Sequence, residues 1–130
     1  MIVLDASILT DLVLGRRGAD AVLELDGAPF HAPELIEIET VHALCGLARA
    51  GHVSDERAAV AVAGLPRVRS VLYPHAPFLE RVWELRHELT AYDAMYLALA
   101  ERIGAVLFTA DRGLARRAGR LLGADRVQIV

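Results

Sequence analysis

The sequence predicts an α/β fold in which a central parallel sheet of about five short strands is flanked by helices. Short runs rich in Val, Ile, Leu and Phe recur along the chain, and the segments between them have the apolar spacing of helices. Strands that alternate with helices are typical of a parallel sheet. The length of 130 residues fits a single domain over residues 1–130, and a composition of 55% hydrophobic and 24% charged residues excludes a disordered chain.

Each predicted element rests on a local pattern. The apolar runs that are too short for helices predict strands at 2–4, 30–32, 68–72, 105–108 and 127–130, of which the run between Pro29 and Pro33 is the weakest. Helical spacing predicts helices at 7–14, 18–26, 34–50, 55–64, 76–88, 91–103 and 112–122. Ser54 is a predicted N-cap, and helices should end near Gly51, Gly104 and Gly123.

The charges narrow the possible functions. The net charge is −3, and all fourteen basic residues are arginine. The lack of lysine excludes a Walker A site, a Schiff-base enzyme and a response-regulator receiver. Residues 1–48 carry eight acids and two arginines, whereas residues 105–130 carry two acids and five arginines. A net negative chain does not bind nucleic acid by bulk charge alone, so a basic C-terminal segment needs a more local explanation.

The sequence also predicts the compartment. No apolar run reaches 18 residues, so we expect no membrane span. The first fifteen residues contain Asp5 and Asp11 and no basic segment, so we expect no signal peptide. A single cysteine, Cys45, excludes an internal disulfide. These features predict a cytoplasmic protein.

Two acidic residues follow predicted strands. In an open parallel sheet, ligands bind at the carboxyl ends of the strands. Asp5 follows the first strand directly, and Asp111 follows the run Val106-Leu107-Phe108 after two residues. Each also begins a predicted helix, and taken alone each is more simply explained as a helix cap.

Two further acids lie on predicted helices. Asp93 stands three residues after Thr90, as in a capping box, but it shares a helical face with Tyr96, Leu97 and Ala100, which should point inward. A buried carboxylate needs a partner. Glu39 has no lysine or arginine one helical turn away; a solvated face would explain it, and the pattern alone makes Glu37 nearly as good a candidate.

Carboxylates without basic partners predict a hard divalent cation. Two such charges about 4 Å apart repel by roughly 4 kcal/mol at an effective dielectric constant of 20, and a cation reverses that penalty. Mg²⁺ and Mn²⁺ prefer oxygen ligands and leave positions open for phosphate. The histidines form no zinc motif, and neither a G-x-S-x-G nor a G-x-G-x-x-G sequence is present.

The order of the motifs is more specific than any one of them. The chain contains in turn M-I-V-L-D-A-S-I-L-T-D-L, A-P-E-L-I-E-I-E-T-V-H-A-L, L-T-A-Y-D-A-M-Y-L-A-L-A and V-L-F-T-A-D-R-G-L-A. This order closely resembles the PIN-domain ribonucleases, specifically the VapC-type toxins, over almost the full chain. The resemblance implies a catalytic quartet in which Glu39, and not Glu37, is the second acid: Asp5, Glu39, Asp93 and Asp111. It also implies that Asp5 and Asp93 ligate the metal directly, with Ser7 and Thr109 as supporting hydroxyls.

The same resemblance implies a function and partners. We expect a PIN-like fold, a Mg²⁺ or Mn²⁺ site, endonucleolytic cleavage of RNA, a homodimer and a cognate antitoxin. The basic C-terminal segment, residues 105–130, could then bind RNA phosphates. Four arginines follow Asp111 there and form a positive flank: Arg112, Arg116, Arg117 and Arg120. A solvated helix face explains these arginines equally well. Two other functions remain open, a catalytically silent PIN-like scaffold and a metal-dependent phosphatase of small phosphate esters.

Overall fold

A five-stranded parallel sheet forms the centre of the protein in a computed structural model that describes residues 1–16 and 28–130. Every pair of neighbouring strands is parallel, which confirms the predicted sheet. The strand positions agree with the prediction to within two residues. The strands are β1 (Ile2–Leu4), β2 (Phe30–Pro33), β3 (Ser70–Tyr73), β4 (Val106–Thr109) and β5 (Val127–Ile129).

Six α-helices accompany the sheet in the described part of the chain. They are α1 (Ala6–Val13), α2 (Leu35–Arg49), α3 (Asp55–Gly64), α4 (Leu79–Glu84), α5 (Ala91–Ile103) and α6 (Arg112–Leu122). The Ser54 hydroxyl accepts a hydrogen bond from Arg57 N (3.2 Å), which confirms the predicted cap of α3. Gly104 ends α5 with φ +68°, a left-handed conformation that glycine adopts without steric cost. The helix predicted at 18–26 lies outside the described residues.

The single helix predicted at 76–88 is wrong. Residues Ala76–Phe78 form a 3₁₀ turn, α4 spans only Leu79–Glu84, and the chain then continues in turns. Pro77 has no backbone N–H, so it is tolerated in the first turn of a helical segment and not in the interior of a longer helix. At the other end, the backbone N–H of Leu85 is shared between two carbonyls at 3.2 Å each, and the buried Leu85 side chain holds the end in place.

The strand order predicts a crevice between β1 and β4. The order is β3-β2-β1-β4-β5, so the chain adds two strands on one side of β1 and then returns to add β4 on the other side. This reversal between β1 and β4 is a topological switch point, where open parallel sheets bind ligands at the carboxyl ends of their strands. Leu4 pairs with Phe108, so the residues after both strands leave the sheet side by side.

The core surrounds α5. All residues from 94 to 100 are buried, and they pack with the sheet residues Val3, Leu4 and Leu107. The inward positions predicted for Tyr96, Leu97 and Ala100 are therefore confirmed. Asp93 lies directly before this buried stretch, at the edge of the core. Among the described residues, no helix is both long enough and apolar enough to cross a membrane.

Candidate active site at the carboxyl ends of β1 and β4

Asp5 is a buried carboxylate directly after β1. The residue is only 6% exposed. Its Oδ1 accepts hydrogen bonds from the backbone N–H groups of Ser7 (3.1 Å) and Ile8 (3.3 Å), so Asp5 caps α1 as the sequence indicates. Burial raises the pKa of Asp5, and its hydrogen bonds from Ser7, Thr109 and the backbone offset part of that rise. The ionised carboxylate is therefore held at a net electrostatic cost.

Two hydroxyls join the turn after β1 to the turn after β4. Ser7 Oγ donates to Asp5 Oδ1 (2.5 Å) and accepts from Ala110 N (2.9 Å). Thr109 Oγ1 donates to Asp5 Oδ2 (2.6 Å) and accepts from Asp111 N (2.9 Å). Both hydroxyls predicted to support the site therefore contact Asp5, and through Thr109 the position of Asp5 is tied to that of Asp111.

Replacing Thr109 by Val tests this connection. Valine has nearly the shape of threonine, but it removes the donor to the Asp5 carboxylate and the acceptor of Asp111 N. We expect the free energy of unfolding to fall by about 1.5–3 kcal/mol, the usual contribution of a hydrogen bond to a charged group. Thr40→Val is the matched control, because Thr40 is equally buried and its hydroxyl has no hydrogen-bond partner among the described residues. Urea unfolding should show Thr40→Val at or above parent stability; equal losses in both variants would contradict the assignment.

Asp111 holds the corresponding place after β4. Its Oδ1 accepts hydrogen bonds from the backbone N–H groups of Gly113 (2.7 Å) and Leu114 (3.0 Å), so Asp111 caps α6 as predicted. The residue is exposed, in contrast to Asp5. Both capping hydrogen bonds go to Oδ1. Capping therefore leaves the second oxygen, Oδ2, available for other chemistry.

Glu39 and Asp93 lie close enough to the turns after β1 and β4 to interact electrostatically with Asp5 and Asp111. Burial raises the pKa of Glu39, and the negative charges of Asp93 and Asp5 raise it further. Burial also raises the pKa of Asp93; Arg117 lowers it, and the charge of Asp111 raises it. These mutual effects place the four acids predicted by the resemblance in one electrostatic cluster. Glu37, the alternative that the helical pattern left open, is exposed two residues away from Glu39.

Sequence reasoning overlooked the Tyr96 hydroxyl. Tyr96 was expected only as part of an apolar stripe, yet its hydroxyl is buried close enough to Glu39 for the two groups to shift each other's pKa. Neither Tyr96 Oη nor Glu39 Oε1 has a partner with hydrogen-bond geometry among the described residues. The signal was available, because a buried tyrosine hydroxyl usually has a polar partner nearby.

The expectation that the acids lack basic partners is wrong for Asp93. An Arg117 guanidinium nitrogen, Nη2, lies 3.5 Å from Asp93 Oδ2. This contact also divides the four arginines of the predicted flank. Arg112, Arg116 and Arg120 line a shallow surface groove beside Ile129 of β5, whereas Arg117 points from α6 toward the carboxylates.

The donors fit a hard divalent cation in kind. All four are carboxylates, and the buried Glu39 Oε1 has no hydrogen-bond partner among residues 1–16 and 28–130. In the same residues, no three His, Cys, Asp or Glu side chains already converge as a metal would require. The carboxylates would therefore have to close around a cation, and the Arg117 contact with Asp93 would have to loosen.

The raised pKa of Glu39 predicts a pH dependence. A carboxyl group whose pKa in the folded protein exceeds its ordinary value of 4.5 stabilises the fold at low pH, and this contribution is lost as the pH rises through the raised pKa. In EDTA, we therefore expect Glu39→Gln to gain stability relative to the parent between pH 4.5 and pH 7, measured by urea unfolding. The exposed Glu37→Gln is the matched control and should follow the parent. A constant difference between Glu39→Gln and the parent would contradict the prediction.

The fold and this carboxylate cluster define a known class of protein. Residues 2–120 match the family model of the PIN domain. Ribonuclease VapC1 of Mycobacterium tuberculosis is 37% identical over 120 residues, which cover 90% of each chain. Ribonuclease VapC12 of the same species is 35% identical, over 92% of this chain and 93% of its own, and ribonuclease VapC9 is 34% identical, over 88% and 89%. The chain belongs to the PIN-domain family and, within it, to the VapC ribonucleases.

Proposed function

We propose that this protein is a metal-dependent endoribonuclease and the toxin of a type II toxin–antitoxin pair. One observation supports the proposal: Asp5 and Asp111 follow the neighbouring strands β1 and β4 at the switch point of the sheet, and Glu39 and Asp93 interact electrostatically with them, in a chain 37% identical to a protein named ribonuclease VapC1. Carboxylates placed together in a crevice are costly unless a cation compensates them. The substrate is RNA, and the compensating ion is Mg²⁺ or Mn²⁺.

The four acids have different roles in this proposal. Asp5 and Asp93 would hold the ion directly, and Glu39 and Asp111 would act through water or on a second ion and orient the attacking water. When bound, the ion supplies a water of lowered pKa and stabilises charge on the phosphate. Ser7 and Thr109 fix the orientation of the Asp5 carboxylate through hydrogen bonds of 2.5 and 2.6 Å, so little reorganisation is needed there during the reaction.

The exposed arginines of α6 would bind the RNA backbone. Arg112, Arg116 and Arg120 share one face of the helix, and Arg112 comes directly after Asp111. Phosphate contacts of this kind position a nucleic acid without reading its sequence. The three arginines therefore provide a path for the chain of phosphates leading away from the carboxylates.

Cleavage assays separate the proposal from its alternatives. Labelled RNA and a chromogenic phosphate ester are each incubated with the protein in EDTA, Mg²⁺ and Mn²⁺. Internal cuts in RNA that require metal, with the ester left intact, are the expected result. Hydrolysis of the ester without RNA cleavage would favour the phosphatase, and no hydrolysis of either substrate would favour a catalytically silent scaffold.

The partners are a second copy of the chain and an antitoxin protein that covers the site. Large apolar side chains exposed on the helices, such as Val60 and Trp83, provide surface for such contacts. Light scattering should give twice the chain mass of 14.1 kDa. A strictly monomeric mass at tens of micromolar would contradict the dimer and leave the nuclease proposal unaffected.

A further inference from the structure

Arg117 lies against the carboxylate cluster, apart from the other arginines of α6. Its Nη2 is 3.5 Å from Asp93 Oδ2, and both side chains are partly buried, with 34% and 25% of their surface exposed. Its guanidinium also lies close to the first turn of α6. A Cβ atom built on Gly113 would come within 3.3 Å of Arg117 Nη1 and 3.0 Å of Asp111 Oδ1. Arg117 is thus placed between Asp93 and the helix start that Asp111 caps.

This is the ion pair that reaches the site. Other pairs among the described residues join Arg16 to Asp11, and Arg81 to Glu84 and Glu101, all away from the four acids. At 3.5 Å the contact is looser than a strong charged hydrogen bond of 2.7–2.9 Å, so a divalent cation can displace it. Its charge nevertheless faces a site where carboxylates repel one another.

A guanidinium and a divalent cation cannot share the same carboxylate without repelling each other. Arg117 lies beside Asp93, so a cation held by Asp93 would feel that repulsion. Arg117 and the metal ion therefore compete for the Asp93 carboxylate. The affinity of the site for metal depends on how strongly Arg117 binds Asp93.

We propose that Arg117 is the internal counter-cation of the carboxylate site, which neutralises Asp93 in the metal-free protein and must release it when a divalent metal binds. Arg117 therefore lowers the affinity of the site for metal. This inference rests on the proposed metal-dependent function, but it concerns the binding step alone and is tested without RNA.

The test compares Mn²⁺ binding by calorimetry in the parent, Arg117→Gln and Arg116→Gln. Arg116 is adjacent on α6 and exposed, so its replacement removes the same net charge without touching Asp93. We expect Arg117→Gln to bind Mn²⁺ about three- to tenfold more tightly, equivalent to roughly 0.7–1.4 kcal/mol, and Arg116→Gln to stay within about twofold of the parent. Arg117→Lys, which keeps the charge, should remain near the parent.

Thermal melts provide a second measurement, which distinguishes a counter-cation from an arginine with a purely structural role. In EDTA, Arg117→Gln should melt below the parent, because the carboxylates lose their counter-charge. In saturating Mn²⁺, it should melt at or above the parent, because metal binds the folded variant more tightly. A purely structural role would lower the melting temperature in both conditions. If Arg117→Gln does not fold, Arg117→Met, which keeps an apolar stem on α6, replaces it.

The outcomes separate this inference from the proposed function. If the parent binds Mn²⁺ and Arg117→Gln binds it equally or more weakly, or if Arg116→Gln tightens binding as much, the counter-cation role is overturned and the metal-dependent function stands. If neither the parent nor Arg117→Gln binds Mn²⁺ or Mg²⁺, the metal-dependent function itself fails, and the inference fails with it.

Discussion

Replacing Asp93 by Asn is expected to slow RNA cleavage at least about a hundredfold, equivalent to a loss of roughly 2.7 kcal/mol in transition-state stabilisation. The substitution keeps the size of the side chain and removes the charge that would hold the metal. Asp93 is half-buried at the start of α5, and its backbone N–H donates to Thr90 Oγ1 (3.2 Å), so the helix cap survives the change. The rate is measured on labelled RNA at equal concentrations of Mg²⁺ or Mn²⁺.

Asp55→Asn is the matched control for this experiment. Asp55 is also an aspartate in the first turn of a helix, but it is exposed on α3 and has no part in the carboxylate cluster. Its replacement should leave the cleavage rate unchanged. An Asp93→Asn variant that cuts RNA as fast as the parent would mean that a contaminating nuclease or another site is responsible, and the assignment would fail.

Mn²⁺ should stabilise the parent protein strongly and the Asp5→Asn variant much less. An ion that binds only the folded state stabilises it by about 2.7 kcal/mol at a hundredfold excess over its dissociation constant. The variant lacks the most buried carboxylate of the site, so it should bind the ion weakly. Thermal melts of both proteins in EDTA and in Mn²⁺ give the two differences directly.

In EDTA, the Asp5→Asn variant should be as stable as the parent or up to about 1 kcal/mol more stable. Burial raises the pKa of Asp5, so the ionised side chain costs stability at neutral pH, and removing the charge relieves that cost. The amide oxygen of Asn can still accept the N–H groups that Asp5 caps, and the amide N–H of Asn can donate to Thr109 Oγ1, so the contact with Thr109 is kept with its direction reversed. If Asp5 served only as a cap and dipole partner, the variant would instead lose about 0.3–1 kcal/mol. A destabilised variant beside a parent indifferent to Mn²⁺ would leave the metal site without support.

Local patterns in the sequence were enough to predict most of the secondary structure. Runs rich in branched apolar residues predicted four of the strands, the segment between Pro29 and Pro33 was the weaker prediction of the fifth, and Ser54 and Gly104 marked helix ends that the structure confirms. These features depend on residues close together in the chain. The error at 76–88 arose where Pro77 and the buried Leu85 and Leu89 determine the backbone, because helical spacing alone does not show where a segment packs.

The sequence also predicted four acids for the site, but not how they are connected. The spacing after the strands pointed to Asp5 and Asp111, and the order of motifs preferred Glu39 to Glu37. Helical periodicity could not separate those two glutamates, since both lie on α2. The rotation of α2 against the sheet decides which of the two is turned towards the core. The half-buried position of Glu39 beside Asp5 and Asp93 is set by that packing.

By itself, the sequence determined the class of fold, the four acids predicted for the site and the family resemblance, because each of these depends on local composition and on the order of motifs. Only the tertiary structure decided the strand order that brings β1 and β4 together, the hydroxyls that tie Asp5 to Asp111, and the separation of Arg117 from its neighbours on α6. The physical reason is that these contacts join segments up to 104 residues apart. Hydrogen bonds and ion pairs of that kind depend on distances and directions between packed elements, which spacing along the chain does not encode.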